Sequence, residues 1–124
     1  FPRRIKDYVK ERQERPEKYF WFEHAERNAI YNAARIGVST KDCILYTEGI
    51  PCMDCARAIV QAGIKKVIVH KQYVEDQAKK EGQEIWNNHI NRTIVLFEEA
   101  FVELEYYDGE IIRNIHGWRN GELV

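Results

Sequence analysis

Four residues in two short stretches carry the chemistry this sequence suggests. In Glu23-His24-Ala25-Glu26 a histidine stands two residues before a glutamate. In Pro51-Cys52-Met53-Asp54-Cys55, two of only three cysteines stand three apart, directly after a proline. Thiolates at a helix start are favoured by free backbone N–H groups and by the positive end of the helix dipole. A metal ligand needs that state, because cysteine binds as S⁻. His24, Cys52 and Cys55 supply three ligands for a zinc ion, and no fourth is evident. Cys43 opens a strand and reads as core packing, while His70, His89 and His116 fall in other elements. A zinc ion with three protein ligands keeps one position for water, whose pKa it brings to about 7. Glu26 then stands ready to move protons.

Two other readings of the cysteine pair remain. Cys-x-x-Cys beside a strand–helix–strand unit can be a redox couple. Against that, the pair has no preceding Trp and no Gly-Pro inside it. A structural zinc knot is the other, and it usually requires four protein ligands. The open, catalytic zinc is favoured over both. Residues i and i+2 point about 200° apart on a helix, so His24 and Glu26 do not share a face there. At a helix end this constraint relaxes, and two helix N-termini can converge on one ion.

Hydrophobic spacing marks the elements that must position these residues. Ala25, Ala29, Ile30, Ala33 and Ala34 recur at helical spacing and Gly37 is a natural stop, which predicts a helix over 24–36. Ile44, Leu45 and Tyr46 form a short strand, and a turn with Gly49 and Pro51 comes next. Ala56, Ile59, Val60 and Ala62 mark a second helix closed by Gly63, and Val67, Ile68 and Val69 a buried strand. Residues 71–82 are polar and read as a loop or a ragged helix start. Trp86, Ile90, Ile94 and Phe97 mark one face of a third helix. Val102, Leu104 and Tyr106 alternate with Glu103 and Glu105, as in an edge strand with one solvated face. Short strands joined by helices should be parallel. The expectation is a three-strand parallel sheet with helices on both faces. So thin a sheet calls for further strands or a neighbouring chain.

Seven basic residues from Arg3 to Lys18 mix with Asp7, Glu11, Glu14 and Glu17. This stretch reads as a solvated helix or mobile loop, or as a basic rim meeting an anionic substrate group. Pro16 should end any helix before it. The aromatic run Tyr19-Phe20-Trp21-Phe22 reads as a buried connection or a subunit contact. Trp118, in a segment without firm pattern, could cover the site, cover a neighbour or merely pack.

The chain has 124 residues, 44% hydrophobic and 31% charged, with a net charge of −1. That is one domain with one core. It argues against disorder and against long nucleic acid as a partner held by bulk charge. No run approaches a membrane span and no signal-peptide pattern is present. Three cysteines make no disulfide framework, so an intracellular, cytoplasmic setting is expected.

His-x-Glu followed by Pro-Cys-x-x-Cys is the signature of the zinc nucleobase deaminases. The chain resembles the cytidine/deoxycytidylate deaminase superfamily, and within it the deoxycytidylate (dCMP) deaminases. His24-Ala25-Glu26-Arg27-Asn28-Ala29 is similar to their His-Ala-Glu-x-Asn-Ala pattern. The run from Pro51 to Val69 resembles their segment Pro-Cys-x-x-Cys-Ala-x-x-Ile-x-x-(Ala/Ser)-Gly-Ile. The match runs from about Glu23 to Val69.

The resemblance implies an α/β, three-layer α-β-α fold with a mostly parallel sheet. It implies that residues 1–124 are one zinc-dependent deaminase domain lacking the family's first helix and two strands, as part of a longer gene product. It implies zinc on His24, Cys52 and Cys55, activating water for attack on C4 of cytosine. Glu26 would take the water's proton, protonate N3, and pass a proton to the departing ammonia. The Ala25 N–H would hold the ring carbonyl, and Pro51 would shape the loop that accepts the exocyclic amine. Arg3 and Arg4 are the candidates, by position, for the substrate phosphate. The implied substrate is dCMP, converted to dUMP; cytidine, guanine or tRNA adenosine are alternatives within the same chemistry. A non-catalytic zinc module used for assembly is the alternative of another class. A small-molecule nucleotide and further copies of the same chain are the expected partners.

Overall fold

The structure is a computed structural model that describes residues 1–80 and 82–111, and the backbone of a short strand pair, Trp118–Arg119 and Glu122–Leu123. Expectations for His116 and for the side chain of Trp118 fall outside the described residues.

A 3₁₀ turn at Lys10–Gln13 and one helical turn, α1 (Lys18–Trp21), lead into α2 (Ala25–Ile36). The chain then alternates: β1 (Ile44–Thr47), α3 (Met53–Gln61), β2 (Lys66–His70), α4 (Lys71–Ala78), α5 (Glu84–Glu99) and β3 (Glu103–Tyr107). β1, β2 and β3 form a parallel sheet in that order, with Leu45 beside Val67 and Val67 beside Leu104. This is the α/β organisation with β3 at the edge that the alternation of apolar residues implies. The remaining strands, β4 (Trp118–Arg119) and β5 (Glu122–Leu123), pair antiparallel.

Helix ends obey local chemistry. Gly37 sits at φ 86 and closes α2, with its N–H and that of Val38 both on the Ala33 carbonyl at 2.9 Å. A left-handed residue of this kind, favoured in glycine, is a common way for a helix to stop. Gly63, at φ +75, ends the turn after α3, and a Cβ there would lie 3.3 Å from Lys41 Cα.

The core lies on one face of the sheet. Val67 and Val69 of β2 are buried with Ala56 and Ile59 of α3, Phe97 of α5, and Ile64 and Val102. Leu45 and Leu104, in register with Val67, pack against the same cluster. The period of two in each strand sends the alternate residues the other way. There Ile44 is 43% and Tyr46 72% exposed, and Lys66 bridges Glu103 and Glu105 across the strands.

Two local expectations change. Residues 71–78 form a regular helix rather than a loop or a ragged helix start: Tyr73, Val74 and Gln77 share one side, which is too little apolar periodicity to be conspicuous. The aromatic run is not a buried connection, since Tyr19 is 56% and Phe20 79% exposed. Phe22 meets the ring of Phe1 edge-on at 4.4 Å. The charged N-terminal stretch is largely solvated, and its one ordered turn ends at Gln13, before Pro16.

Candidate metal centre

Two helices start at this centre. His24 is the N-cap of α2 and Cys52 the N-cap of α3, both with extended backbone and neither using its side chain to cap. Both side chains are therefore free for another partner. Cys55 lies one turn into α3 and is fully buried. His24 Nδ1 stands 3.5 Å from Cys52 Sγ and 3.5 Å from Cys55 Sγ. The three ligand atoms all fall within 4.8 Å of one another. Zinc–sulfur bonds of about 2.3 Å and a zinc–nitrogen bond of about 2.0 Å at tetrahedral angles place S and N about 3.5 Å apart. The donor set and its spacing fit a zinc ion.

Charge supports the same reading. The thiol of Cys55 and the backbone N–H groups of Cys55 and Asp54 stabilise the Cys52 thiolate against the cost of burial. His24 adds to this, and the Cys52 pKa falls to about 5. Cys55 is pushed up, because it donates to Cys52 and is buried beside Glu26. The Cys55 thiol thus supports the neighbouring Cys52 thiolate.

Glu26, in the first turn of α2, holds its carboxylate 3.8 Å from Cys55 Sγ and 3.4 Å from Thr47 Oγ1 at the end of β1. It lies beside the three donors without belonging to their set. Ala25 opens α2 and is exposed. The first backbone bond of the helix runs from Asn28 N to the His24 carbonyl at 2.9 Å. The N–H groups of Ala25, Glu26 and Arg27 therefore have no intrahelical acceptor.

A cavity of about 950 Å³ opens in front of the donors, lined by His24, Ala25, Glu26 and Cys52 among others. Thr47 and His70, the last residues of β1 and β2, line it too. The site thus sits at the carboxyl ends of parallel strands, the usual place for ligands in such sheets.

Pro51 is buried, does not line the cavity, and gives its carbonyl to Thr93 Oγ1 at 2.8 Å. Arg3 donates to Asn32 on α2, and Arg4 is exposed; neither lines the cavity. Arg15 does.

Several supporting residues escape a reading of the sequence. Arg27 donates to Cys55 Sγ at 3.4 Å and is itself ion-paired to Glu23. Burial works against its charge, but Glu23 and the two cysteines outweigh that and raise its pKa. The i,i+4 spacing of Glu23 and Arg27 was the available signal, yet such pairs are common on solvated helices. From α5, His89 Nδ1 accepts the Met53 N–H at 3.3 Å while Thr93 holds the Pro51 carbonyl. One helix face thereby clamps both sides of Cys52. Nothing in the sequence ties a threonine on an apolar helix to a loop 42 residues away.

Residues 5–71 match the family model described as the cytidine and deoxycytidylate deaminase zinc-binding region. The chain is 31% identical over 113 residues to an uncharacterized deaminase in luxG 3'region of Aliivibrio fischeri, covering 91% of this chain and 70% of that protein. It is 41% identical over 70 residues to the deoxycytidylate deaminase of Enterobacteria phage T2, which is 52% of this chain and 37% of the phage protein. Identity to the deoxycytidylate deaminase of Homo sapiens is 47% over 51 residues, or 41% of this chain and 28% of the human one. The matched stretches thus span well under half the length of these two enzymes. The zinc signature, the α/β fold and these likenesses agree: the chain belongs to the cytidine and deoxycytidylate deaminase family, whose zinc-binding region it carries on His24, Cys52 and Cys55.

Proposed function

We propose that this chain converts dCMP to dUMP and ammonia by hydrolysis. One observation carries the reading: Glu26 stands 3.8 Å from Cys55 Sγ, beside a donor trio at the inner wall of a cavity large enough for a nucleotide. The deoxycytidylate deaminases among the relatives support the substrate.

His24, Cys52 and Cys55 would hold the zinc ion, which when bound would supply the Lewis acidity that lets water react near neutral pH. Glu26 takes the proton that the attacking water gives up and delivers it to N3 of the cytosine ring. It then carries the second water proton to the amino group, which leaves as ammonia. Water's oxygen ends as the new carbonyl on C4, so the atoms balance. The Thr47 hydroxyl holds the Glu26 carboxylate in place for both transfers. The free N–H of Ala25 is the donor for the ring carbonyl. Pro51 acts from behind the cavity wall: its carbonyl bond to Thr93 sets the path of the loop that meets the amino group.

Ammonia release from dCMP, CMP, deoxycytidine, adenosine, guanine and tRNA tests this directly. Fastest turnover of dCMP is the expected result, and preference for an unphosphorylated compound would overturn it. Glu26→Gln should keep zinc and reduce turnover by about 10²-fold or more, the scale of a lost general acid–base. Retained turnover would remove Glu26 from its role, and retained zinc without turnover in the unaltered chain would favour a non-catalytic assembly module.

Self-assembly belongs to the same proposal and is supported by exposed aromatics such as Tyr8, Tyr19 and Phe20; light scattering measures it. So does action inside the cell, supported by three free cysteines. Among the described residues no helix is long and apolar enough to cross a membrane.

A further inference from the structure

We propose that Arg15 receives the 5′-phosphate of the substrate and so sets the preference for a nucleotide over a nucleoside; this rests on the nucleotide reading above. The cavity wall is short of positive charge. Glu26 and Glu48 both line it, and a zinc ion held by two thiolates contributes no net charge. A phosphate carries about −1.5 to −2 at pH 7, so an anionic substrate needs a cation on that wall. Among the described lining residues Arg15 is the one arginine or lysine. Of the three lining histidines, His24 belongs to the donor trio, while His89 has Nδ1 on the Met53 N–H and His70 has Nε2 on the Gly109 carbonyl at 3.1 Å, so each of these two has one ring nitrogen held.

The other arginines with described contacts are held elsewhere. Arg3 donates to Asn32, Arg27 pairs with Glu23, and Arg57 pairs with Asp54. Arg12 covers the Trp21 ring at 3.7 Å, and Arg92 donates to the Asn88 carbonyl at 3.1 Å. The contact described for Arg15 is with the face of Tyr19 at 5.8 Å, and none of the described ion pairs includes it. Packing on an aromatic face orients a guanidinium without using its N–H groups. The planar fork is left for two parallel bonds to phosphate oxygens.

Calorimetry on the zinc-loaded Glu26→Gln chain, whose turnover should be slowed about 10²-fold or more, reads this out as binding. Arg15→Ala should weaken dCMP about 10- to 100-fold, the scale of bonds to a charged group, and leave deoxycytidine within about twofold. Arg15→Lys should recover part of the loss, since it keeps the charge without the fork. Arg4→Ala, an exposed arginine off the cavity, should leave both ligands unchanged. If dCMP binds no better than deoxycytidine while Arg15 is intact, the nucleotide reading and the role of Arg15 fall together. If a dCMP preference survives Arg15→Ala, or falls equally in Arg4→Ala, the role of Arg15 falls alone.

Discussion

Thr93 Oγ1 donates to the carbonyl of Pro51 at 2.8 Å, with both groups buried, and so joins the middle of α5 to the residue before the first cysteine. Thr93→Val keeps the shape and deletes the donor. The Pro51 carbonyl is then buried without a partner, which costs about 1–3 kcal/mol. Urea unfolding of the zinc-free chain should show a fall of that size. A stability equal to the parent would mean that the bond contributes nothing to holding the loop.

Arg27 donates to the sulfur of Cys55 while Glu23 holds the guanidinium from the far side. Partners of this kind orient a ligand and tune its charge, and their loss typically weakens metal binding 10- to 100-fold. Arg27→Ala should weaken zinc binding by about that factor in a competition titration against a chelator. Arg57→Ala, whose partner Asp54 is exposed, should leave zinc binding as it was.

The zinc-free cysteines should titrate apart. Cys52, lowered to about 5, is a thiolate at pH 7, while Cys55, pushed up, stays protonated. Brief alkylation at pH 7 and then peptide mapping should find Cys52 modified well before Cys55. The depressed pKa also links to stability. The unfolded thiol titrates near 8.5, so this group's full contribution is present above that value and is lost as pH falls through about 5. Stability that rose as pH fell from 8 to 5 in a Cys52-dependent way would contradict the assignment.

Gly63→Ala forces a Cβ at φ +75 and at 3.3 Å from the Lys41 backbone. Left-handed strain alone costs about 1–2 kcal/mol. Thermal unfolding should therefore show a lower midpoint than for Gly37→Ala, where nothing lies within 4 Å of the added carbon.

The convergence of His24, Cys52 and Cys55 was legible because metal chemistry admits few residue types and helix starts are marked by their own signals. The parallel sheet was legible because Leu45 and Val67 stand in short apolar runs, and Leu104 in an apolar–acidic alternation, separated by helical spacing. Which arginine lines the cavity was not. Arg3, Arg4 and Arg15 sit in one stretch of similar composition, and only the path of the chain brings one of them to the cavity. α4 was illegible for a related reason: Tyr73 and Val74 give an eight-residue helix too small an apolar stripe to mark its period. The Thr93–Pro51 and His89–Met53 bonds span 42 and 36 residues, and no local pattern encodes a contact made by tertiary packing.

X-ray absorption at the zinc edge of the zinc-loaded chain tests the central claim most directly. One zinc per chain is predicted, with two sulfurs at about 2.3 Å, one imidazole nitrogen at about 2.0 Å and a single oxygen completing four-coordination. A first shell closed by a third sulfur or a second imidazole, or a chain that binds no zinc, would contradict it.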